Sequence, residues 1–508
     1  MVKGCLVLQR RFTYLGHELA VLLKENHGID EFCAYVFTRD SFDFLNAQKD
    51  LRYTDIILDE DVHKLSKKEK LDLSYLKWLE GEYGNLWSFI NVDRIVRYGQ
   101  LVREYPHDAP MYTHEEMLRI VQVTAKHIIS FLDREKPDFL FSYQPGAIAT
   151  FLLYTIAKKR GIKILTTIIP LTRNQVALSE RYDRLTGTEE IFKENLNKPS
   201  DSVARYKEAK DFIEEFRKKP AVYSEVYESL IKHGKWKQFD FLLPGNLARS
   251  FLWTYRLFAD WISDAEKRSD YSATNPFYYV LDRVKRKLRN LRGVEDLYDK
   301  YDTSKPFVFY PLHFEPELSV LLLAPFDTDQ IVIVKRLAQS LPVGMHVYVK
   351  EHPQMTLYRP RSFYKELKKI PNVKLLRPEI SSFNIIRHSK LVAIITGAAG
   401  WEATLLGKPV ITFGEVFYNA LPSVANSTVP EKLPELVLKQ INDFQANDEE
   451  LIRFVSALFE DSAQCDLLHI WENQGSREKK RKILADFAGL MARKLGLPKM
   501  KTGAYKGE

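Results

Sequence analysis

Short apolar runs alternate with segments of helical periodicity through the first third of this chain. Residues 2–9 read as a strand, 17–25 as a helix, 31–38 as a second strand and 54–58 as a third. Between 60 and 110 the pattern is helical and aromatic, with weak periodicity. Thr113, followed by Glu115 and Glu116, has the form of an N-cap with acids in the first turn; it predicts a helix to about 135, ended by Pro137. A strand over 138–143, a helix over 147–160 closed by Gly161 and a strand over 164–169 come next. This βαβ series predicts a Rossmann-like first domain over 1–187.

From 188 to 301 the strand pattern stops and charged helical sequence takes over, as expected of a helical insertion or linker. Within it, 281–292 (LDRVKRKLRNLR) sets Leu281, Val284, Leu288 and Leu291 at helical spacing beside Arg283, Lys285, Arg286, Lys287 and Arg289. Such a stripe packs on the rest of the protein or lies on an anionic membrane surface, and the pattern leaves both open. Alternation is most regular over 302–430, with strands at 307–310, 345–350, 373–376, 391–395 and 410–413. Helices at 330–340, 362–369, 381–388 and 401–406 separate them, which predicts a second Rossmann-like domain. Residues 431–508 read as C-terminal helices, at 431–444 and 448–459, with a basic tail from Ser476. The fold class is therefore α/β, two Rossmann-like domains with a helical insertion and a helical tail.

A length of 508 residues exceeds one ordinary domain, and 45% hydrophobic with 28% charged residues describes a globular chain with substantial cores. The net charge of +8 suits an anionic ligand or membrane surface and does not call for nucleic acid. Cys5, Cys33 and Cys465 are far apart and form no CxxC, so neither a zinc knuckle nor a disulfide framework is expected. Charge arrives too early at the start for a signal peptide, and no run reaches the roughly 18 apolar residues of a membrane span. The expectation is a cytoplasmic protein, with peripheral contact at the inner face of the membrane left open by the 281–292 pattern.

The stretch 391–418, LVAIITGAAGWEATLLGKPVITFGEVFY, carries the most chemistry. A strand runs into a turn of small residues, Thr396 to Gly400, then a helix and another strand. With Thr396 as N-cap, the small Gly397, Ala398 and Gly400 would admit a ligand to the N–H groups at the helix start, which suit a phosphate. The same loop fits a plain βα turn whose glycines serve tight packing. Two more polar clusters follow predicted strands: VKEHP, with Lys350, Glu351 and His352, and PLHFEPE, with His313, Glu315 and Glu317. Ligands of open α/β sheets bind outside the carboxyl ends of the strands, so three such clusters on one sheet point to a binding site.

No DxD-type acidic motif stands out, and no metal is expected; Lys350, His352 and Lys408 would supply positive charge to a leaving phosphate. Glu402, expected in the first turn of the loop helix, suits sugar or ribose hydroxyls better than phosphate. Glu315 and Glu317 are the candidates for acid/base work or for holding the sugar. His313 is placed with binding rather than catalysis. Phe417 and Tyr418 either stack on a base or belong to the core. In the first domain Arg11 and His17, just after the first strand, and Gln144, at a strand-to-helix junction, are expected on the acceptor side of a cleft.

Together YPLHFEPE, LPVGMHVYVKEHP, RSFYKEL and TGAAGWEATLLGKPVITFGEVFY, within 307–418, resemble bacterial and archaeal capsule (surface) polysaccharide biosynthesis proteins. These are GT-B glycosyltransferase-like proteins related to the capsule Kdo transferases. The resemblance implies a GT-B fold, two Rossmann-like domains facing a cleft, with the nucleotide of an activated sugar held by the second. It implies phosphate contacts from His352, Thr396, Gly397 and Ala398; the reading of the residues themselves adds His313, Lys350, Gly400 and Glu402 to the expected nucleotide-sugar site. A hydroxyl residue stands in many relatives where this chain has Ala398, so Thr396 or backbone donors must serve instead. The expected function is metal-independent glycosyl transfer, hexosyl- or Kdo-type, to a capsule or other cell-surface polysaccharide or glycolipid. A CMP- or UDP-linked sugar is the co-substrate, a glycan or lipid-linked acceptor the partner, and no cofactor is needed. The alternatives are a nucleotide-sugar 2-epimerase or polyol-phosphate transferase on the same fold, or a non-catalytic partner that binds glycan or lipid intermediates.

Overall fold

Two sheets with the same winding organise the protein. The computed structural model describes residues 2–9, 12–99, 112–172, 174–221, 237–265, 268, 271, 273–356, 358–467, 470 and 477–498. Its chain divides into two compact units, one made of the described parts of 1–92, 113–210 and 452–508, the other of those of 93–112 and 211–451.

In the first unit, β1 (Lys3–Leu8), β2 (Glu31–Val36), β3 (Tyr53–Leu58), β4 (Phe139–Tyr143), β5 (Lys163–Ile168) and β6 (Gln175–Ser179) lie in the order β3-β2-β1-β4-β5-β6. All pair in parallel except β5 with β6. Parallel central strands are buried on both faces, and β1 and β2 accordingly read as near-continuous apolar runs. Cys5 and Cys33 are register partners across them, both free and buried. The 22-residue helix His114–Glu135 starts at Thr113 with a full capping box: the Thr113 hydroxyl accepts the Glu116 N–H at 3.3 Å, and the Glu116 carboxylate accepts the Thr113 N–H at 2.7 Å. Its apolar stripe, Met117, Ile120, Val121, Ile128, Phe131 and Leu132, is buried.

The second unit carries β7 (Phe307–Pro311), β8 (His346–Lys350), β9 (Val373–Leu376), β10 (Leu391–Ile394), β11 (Val410–Thr412) and β12 (Val424–Asn426). They are parallel throughout, in the order β9-β8-β7-β10-β11-β12. This is the doubly wound order of dinucleotide-binding sheets, so the α/β class with two Rossmann-like units stands as the sequence predicted.

Several elements differ from the expectation. The segment from Ser476 is no free basic tail. Helix Arg477–Leu495 buries Leu484, Phe487, Leu490 and Met491 in the core of the first unit, beside Leu6 and Phe141. A short strand, β13 (Ser462–Gln464), adds antiparallel to β6 as the seventh strand of that sheet. Thus 452–498, expected as part of a separate C-terminal segment, completes the first unit, and 188–210 joins it too rather than the insertion. The weakly periodic region holds short helices, Asp59–Leu65, Leu73–Tyr83, Leu86–Val92 and Arg94–Tyr98. Helix Arg39–Asn46 and strands β6, β12 and β13 were not foreseen; at three to eight residues they are too short to display a period. Among the described residues no helix is long and apolar enough to cross a membrane.

Candidate functional site

The second sheet reverses its winding between β7 and β10, and the carboxyl ends of those strands are where a doubly wound sheet of this order has its crevice. His313 follows β7 and is buried. Gln330 clamps its backbone: Oε1 accepts the His313 N–H at 2.6 Å and Nε2 donates to its carbonyl at 3.3 Å. The imidazole reaches across to the loop after β10, where Nε2 accepts the Thr396 N–H at 3.4 Å. Acceptance at Nε2 puts the ring proton on Nδ1, which lies 3.8 Å from Glu317 Oε2. The structure thus brings together His313, Glu317 and Thr396.

Beneath them sits a residue that the sequence reading did not single out. Arg359, wholly buried, donates from Nε and Nη2 to Glu315 Oε2 at 3.2 and 2.8 Å, from Nη1 to Glu351 Oε1 and from Nη2 to the His313 carbonyl at 2.6 Å. Its guanidinium lies over the Phe363 ring at 4.9 Å. Glu351 also accepts the Tyr364 hydroxyl at 2.7 Å and the His352 N–H at 2.6 Å. Burial works against the Arg359 charge, and Glu351 with Glu315 outweighs it and raises its pKa. One cation therefore ties the loop after β7 to the loop after β8. Glu315, expected as acid/base or sugar ligand, is buried as this cation's partner, and Glu317 is the carboxylate of the pair left half-exposed at the rim. Nothing local in the sequence distinguishes a buried arginine from an exposed one; the pairing closes across an eight-residue loop.

Lys350, the last residue of β8, is buried and donates to Ser382 Oγ at 2.8 Å. Burial lowers its pKa to about 8, against the pull of Glu402 and Glu379. Burial likewise pushes the Glu402 carboxyl up to about 7, with Lys350 opposing. An ammonium and a carboxyl, each pushed toward its neutral form by burial, thus stand at the carboxyl-end side of one sheet, an arrangement that recurs at functional sites. His352 caps the short turn Pro353–Met355, its Nδ1 accepting the Gln354 N–H at 3.2 Å, so Nε2 is the nitrogen that carries a proton. Lys408 does not join this group. It lies at the amino end of β11 and donates to the Ser389 carbonyl at 3.3 Å, at the opposite edge of the sheet.

The small-residue loop begins its helix earlier than expected. The helix runs over Ala398–Leu405 and not from 401, which puts Glu402 in the second turn rather than the first, and its N-cap is Gly397, not Thr396. Among the described residues Thr396 Oγ1 is buried and has no hydrogen-bond partner. Packing explains both glycines. A Cβ on Gly397 would lie 2.9 Å from His313 Cε1, and one on Gly400 would lie 2.4 Å from the Tyr418 hydroxyl, which donates to the Gly397 carbonyl at 2.9 Å. Gly397 and Ala398 are partly exposed, so the first N–H groups of the helix sit at the mouth of the crevice. Tyr418 and Phe417 pack on Trp401 as core. Gly400→Ala should therefore cost about 1–3 kcal/mol by overpacking, read as a lower denaturation midpoint. Adding Tyr418→Phe, which removes the clashing oxygen, should recover part of it; an unchanged loss would place the strain elsewhere.

In the first unit Arg11 lies outside the described residues. His17 does not sit at strand carboxyl ends. It is buried in helix Phe12–His27, with Nδ1 3.0 Å from the Tyr53 hydroxyl and Nε2 3.1 Å from Asp50 Oδ1, both at the amino side of β3. Burial lowers its pKa, with Asp50 opposing. With both ring nitrogens engaged, His17 is a structural tie. Gln144 does follow the carboxyl end of β4, and its Nε2 donates to the Tyr182 carbonyl at 2.9 Å. Two buried acids unnamed by the sequence reading, Asp59 and Glu60, follow β3; Asp59 accepts the Tyr35 hydroxyl at 2.6 Å.

Comparison with known proteins falls on the same part of the chain. Residues 256–427 match the family model described as "Capsule polysaccharide biosynthesis protein". The chain is 35% identical over 121 residues to Protein FixF of Sinorhizobium fredii, which is 23% of this chain and 29% of that protein. It is 31% identical over 72 residues to capsule polysaccharide modification protein LipA of Neisseria meningitidis serogroup B, 14% of this chain and 10% of that protein. The chain thus spans less than a third of the length of either curated relative. Among solved structures it is similar to the β-Kdo 2,7 transferase of Thermosulfurimonas dismutans KpsC, at 14% identity and a TM-score of 0.36, over 79% of this chain and 97% of that one. Every residue of the crevice lies inside 256–427, the segment that matches the capsule polysaccharide biosynthesis family model.

Proposed function

We propose that this chain is a glycosyltransferase that moves a sugar from a nucleotide-sugar donor, CMP- or UDP-linked, to a growing capsule or other cell-surface polysaccharide or glycolipid. The observation that carries the reading is the convergence of Lys350, His352 and the start of helix Ala398–Leu405 at the carboxyl ends of one parallel sheet. Transfer breaks the bond between the anomeric carbon and a phosphate oxygen, which keeps the electron pair. A new bond forms to an acceptor hydroxyl, whose proton is lost. The Lys350 ammonium, the His352 Nε2 proton and the helix N–H groups would meet the departing phosphate without a metal. Thr396, with its unpartnered hydroxyl, would turn to the same group. Glu402, poised near neutrality, suits a hydroxyl of the ribose or sugar, and Glu317 stands at the rim where the transferred sugar would lie. The match of this segment to the capsule family supports the same substrate class.

A thermal-shift series against CMP, UDP, GDP, CDP and their sugar conjugates tests it. One nucleotide should stabilise the protein, by about 2.7 kcal/mol when present at about a hundred times its Kd. His352→Ala should abolish the shift while leaving the unliganded melting temperature near that of the wild type. If no nucleotide shifts the wild type, with EDTA or magnesium, the transferase reading fails and a non-catalytic glycan- or lipid-binding role takes its place.

A further inference from the structure

Outside the crevice, the largest unexplained feature is a pair of helices, Pro244–Ser263 and Pro276–Arg292, in the second unit. They run antiparallel in contact: Trp253 meets Tyr279 at 5.8 Å between ring centroids, Phe258 meets Phe277 edge-on at 5.0 Å, and Arg283 lies over the Trp253 ring at 4.4 Å. No residue of the first helix is buried. Leu247, Phe251, Tyr255 and Ile262 follow helical spacing along one face, and Phe251 and Ile262 are 74% and 69% exposed. The second helix repeats the pattern with Phe277, Leu281, Val284, Leu288 and Leu291, where Phe277 and Leu288 are 70% and 60% exposed. The stripe that the sequence offered either to the protein or to a membrane is therefore turned away from the protein. Its opposite face holds the helix down: Asn290 is buried, Arg286 Nη1 donates to the Tyr358 hydroxyl at 2.9 Å, and Arg289 donates to the Tyr358 carbonyl.

We propose that this helix pair is a docking surface for an anionic lipid bilayer, lying in the headgroup region with both apolar stripes inserted. Charge decides between occupants. The second helix carries six basic residues and one acid, Asp282, and Lys285 and Arg292 flank its apolar stripe. A second copy would bring this same cationic surface against itself across a two-fold interface, which is repulsive. An anionic bilayer complements it, since the stems of Lys and Arg lie along apolar surface while their charges reach phosphate. Exposed Trp and Tyr belong to such interfaces, where one edge of the ring is apolar and the other wet. Helices of 20 and 17 residues are roughly 30 and 25 Å long, a flat raft suited to a plane rather than a pocket. Tyr358, gripped by the second helix, precedes Arg359, so the raft is fastened to the loop that carries the central cation of the crevice.

Flotation of the full chain with vesicles tests this without nucleotide or acceptor. The protein should float with phosphatidylglycerol-containing vesicles at low salt, less at high salt, and not with phosphatidylcholine alone. Phe251→Ser/Ile262→Ser/Leu288→Ser should weaken binding by about tenfold or more, because three exposed side chains lose their place in the lipid. Lys285→Glu/Arg292→Glu should weaken it by a similar factor through charge. All three positions of the apolar variant are solvent-facing, so its melting temperature and nucleotide response should match the wild type. Absence of flotation at low salt overturns the proposal, as does flotation unchanged by the apolar variant. Concentration-dependent self-association that the same variant abolishes would overturn it too, and would assign the face to a second copy. Since the readout is lipid binding, its failure leaves the transferase reading standing, and the reverse holds.

Discussion

Arg359→Met is expected to lower the melting temperature by on the order of 10 °C, the largest effect of any single substitution in the second unit. The residue is buried between Glu315 and Glu351, and its removal strands two carboxylates in a dry site. Breaking such a pair by deleting one partner costs about 3–5 kcal/mol, because the remaining charge keeps its desolvation penalty without the attraction that offset it. For a unit of this size each kcal/mol moves the midpoint by about 2–4 °C. The attribution is checked by Arg359→Met/Glu315→Gln/Glu351→Gln, which removes the stranded charges and should recover most of the loss. Calorimetry reads both, and the first unit should melt unchanged. A triple variant no more stable than the single one would mean that Arg359 acts through packing on Phe363 and not through charge.

Nucleotide-sugar affinity should fall as pH rises from about 6.5 to about 9, in two overlapping steps. Below about 8 Lys350 is an ammonium and attracts the donor phosphate; above it the charge is lost. Below about 7 Glu402 is a neutral carboxylic acid; above it a negative charge appears in the same crevice. Both titrations therefore weaken anion binding in the same direction. Since the phosphates of a nucleotide-sugar keep their charge over this range, the profile belongs to the protein. Lys350→Met should weaken binding by about tenfold to a hundredfold at pH 7, the value of a charge-assisted contact, and should erase the upper step. Calorimetric titration at several pH values reads Kd and the proton uptake that accompanies binding. A flat profile in the wild type would remove Lys350 from the phosphate site.

How much of this was legible follows from which interactions are local. The capping box at Thr113 and the strands ending in Lys350 and Ile394 were readable because each is written within a few residues. The same locality placed His313, Lys350, His352 and the 396–400 loop on one sheet edge, since strand ends follow from strand assignments. Arg359 was not readable. Its partners are fixed by the convergence of two loops, and a guanidinium in YRPRS looks no different from a solvated one until those loops fold. Thr396 was taken for an N-cap on residue type alone, while the helix is capped one residue later, at Gly397, where a Cβ would lie 2.9 Å from His313 Cε1. His17 failed as an acceptor-side residue for a geometric reason. Five residues into its helix, the chain has already carried it back toward the amino ends of the strands, where Asp50 and Tyr53 take both ring nitrogens. In 477–495 a basic face hid the apolar one, Leu484, Phe487 and Met491, which only the neighbouring sheet reveals.

That last helix has a consequence for synthesis on the ribosome. The first unit needs β13 and helix Arg477–Leu495, and these emerge after about 240 intervening residues that build the second unit. At elongation rates of about 5–20 residues per second the gap is roughly ten to fifty seconds. Throughout it the nascent sheet bears an unpaired β6 edge and an uncovered patch at Leu6 and Phe141. The second unit is complete before the first, although its chain is made later. The early apolar strands therefore wait longest for their cover, and are the part of the newborn chain that a chaperone has most reason to hold.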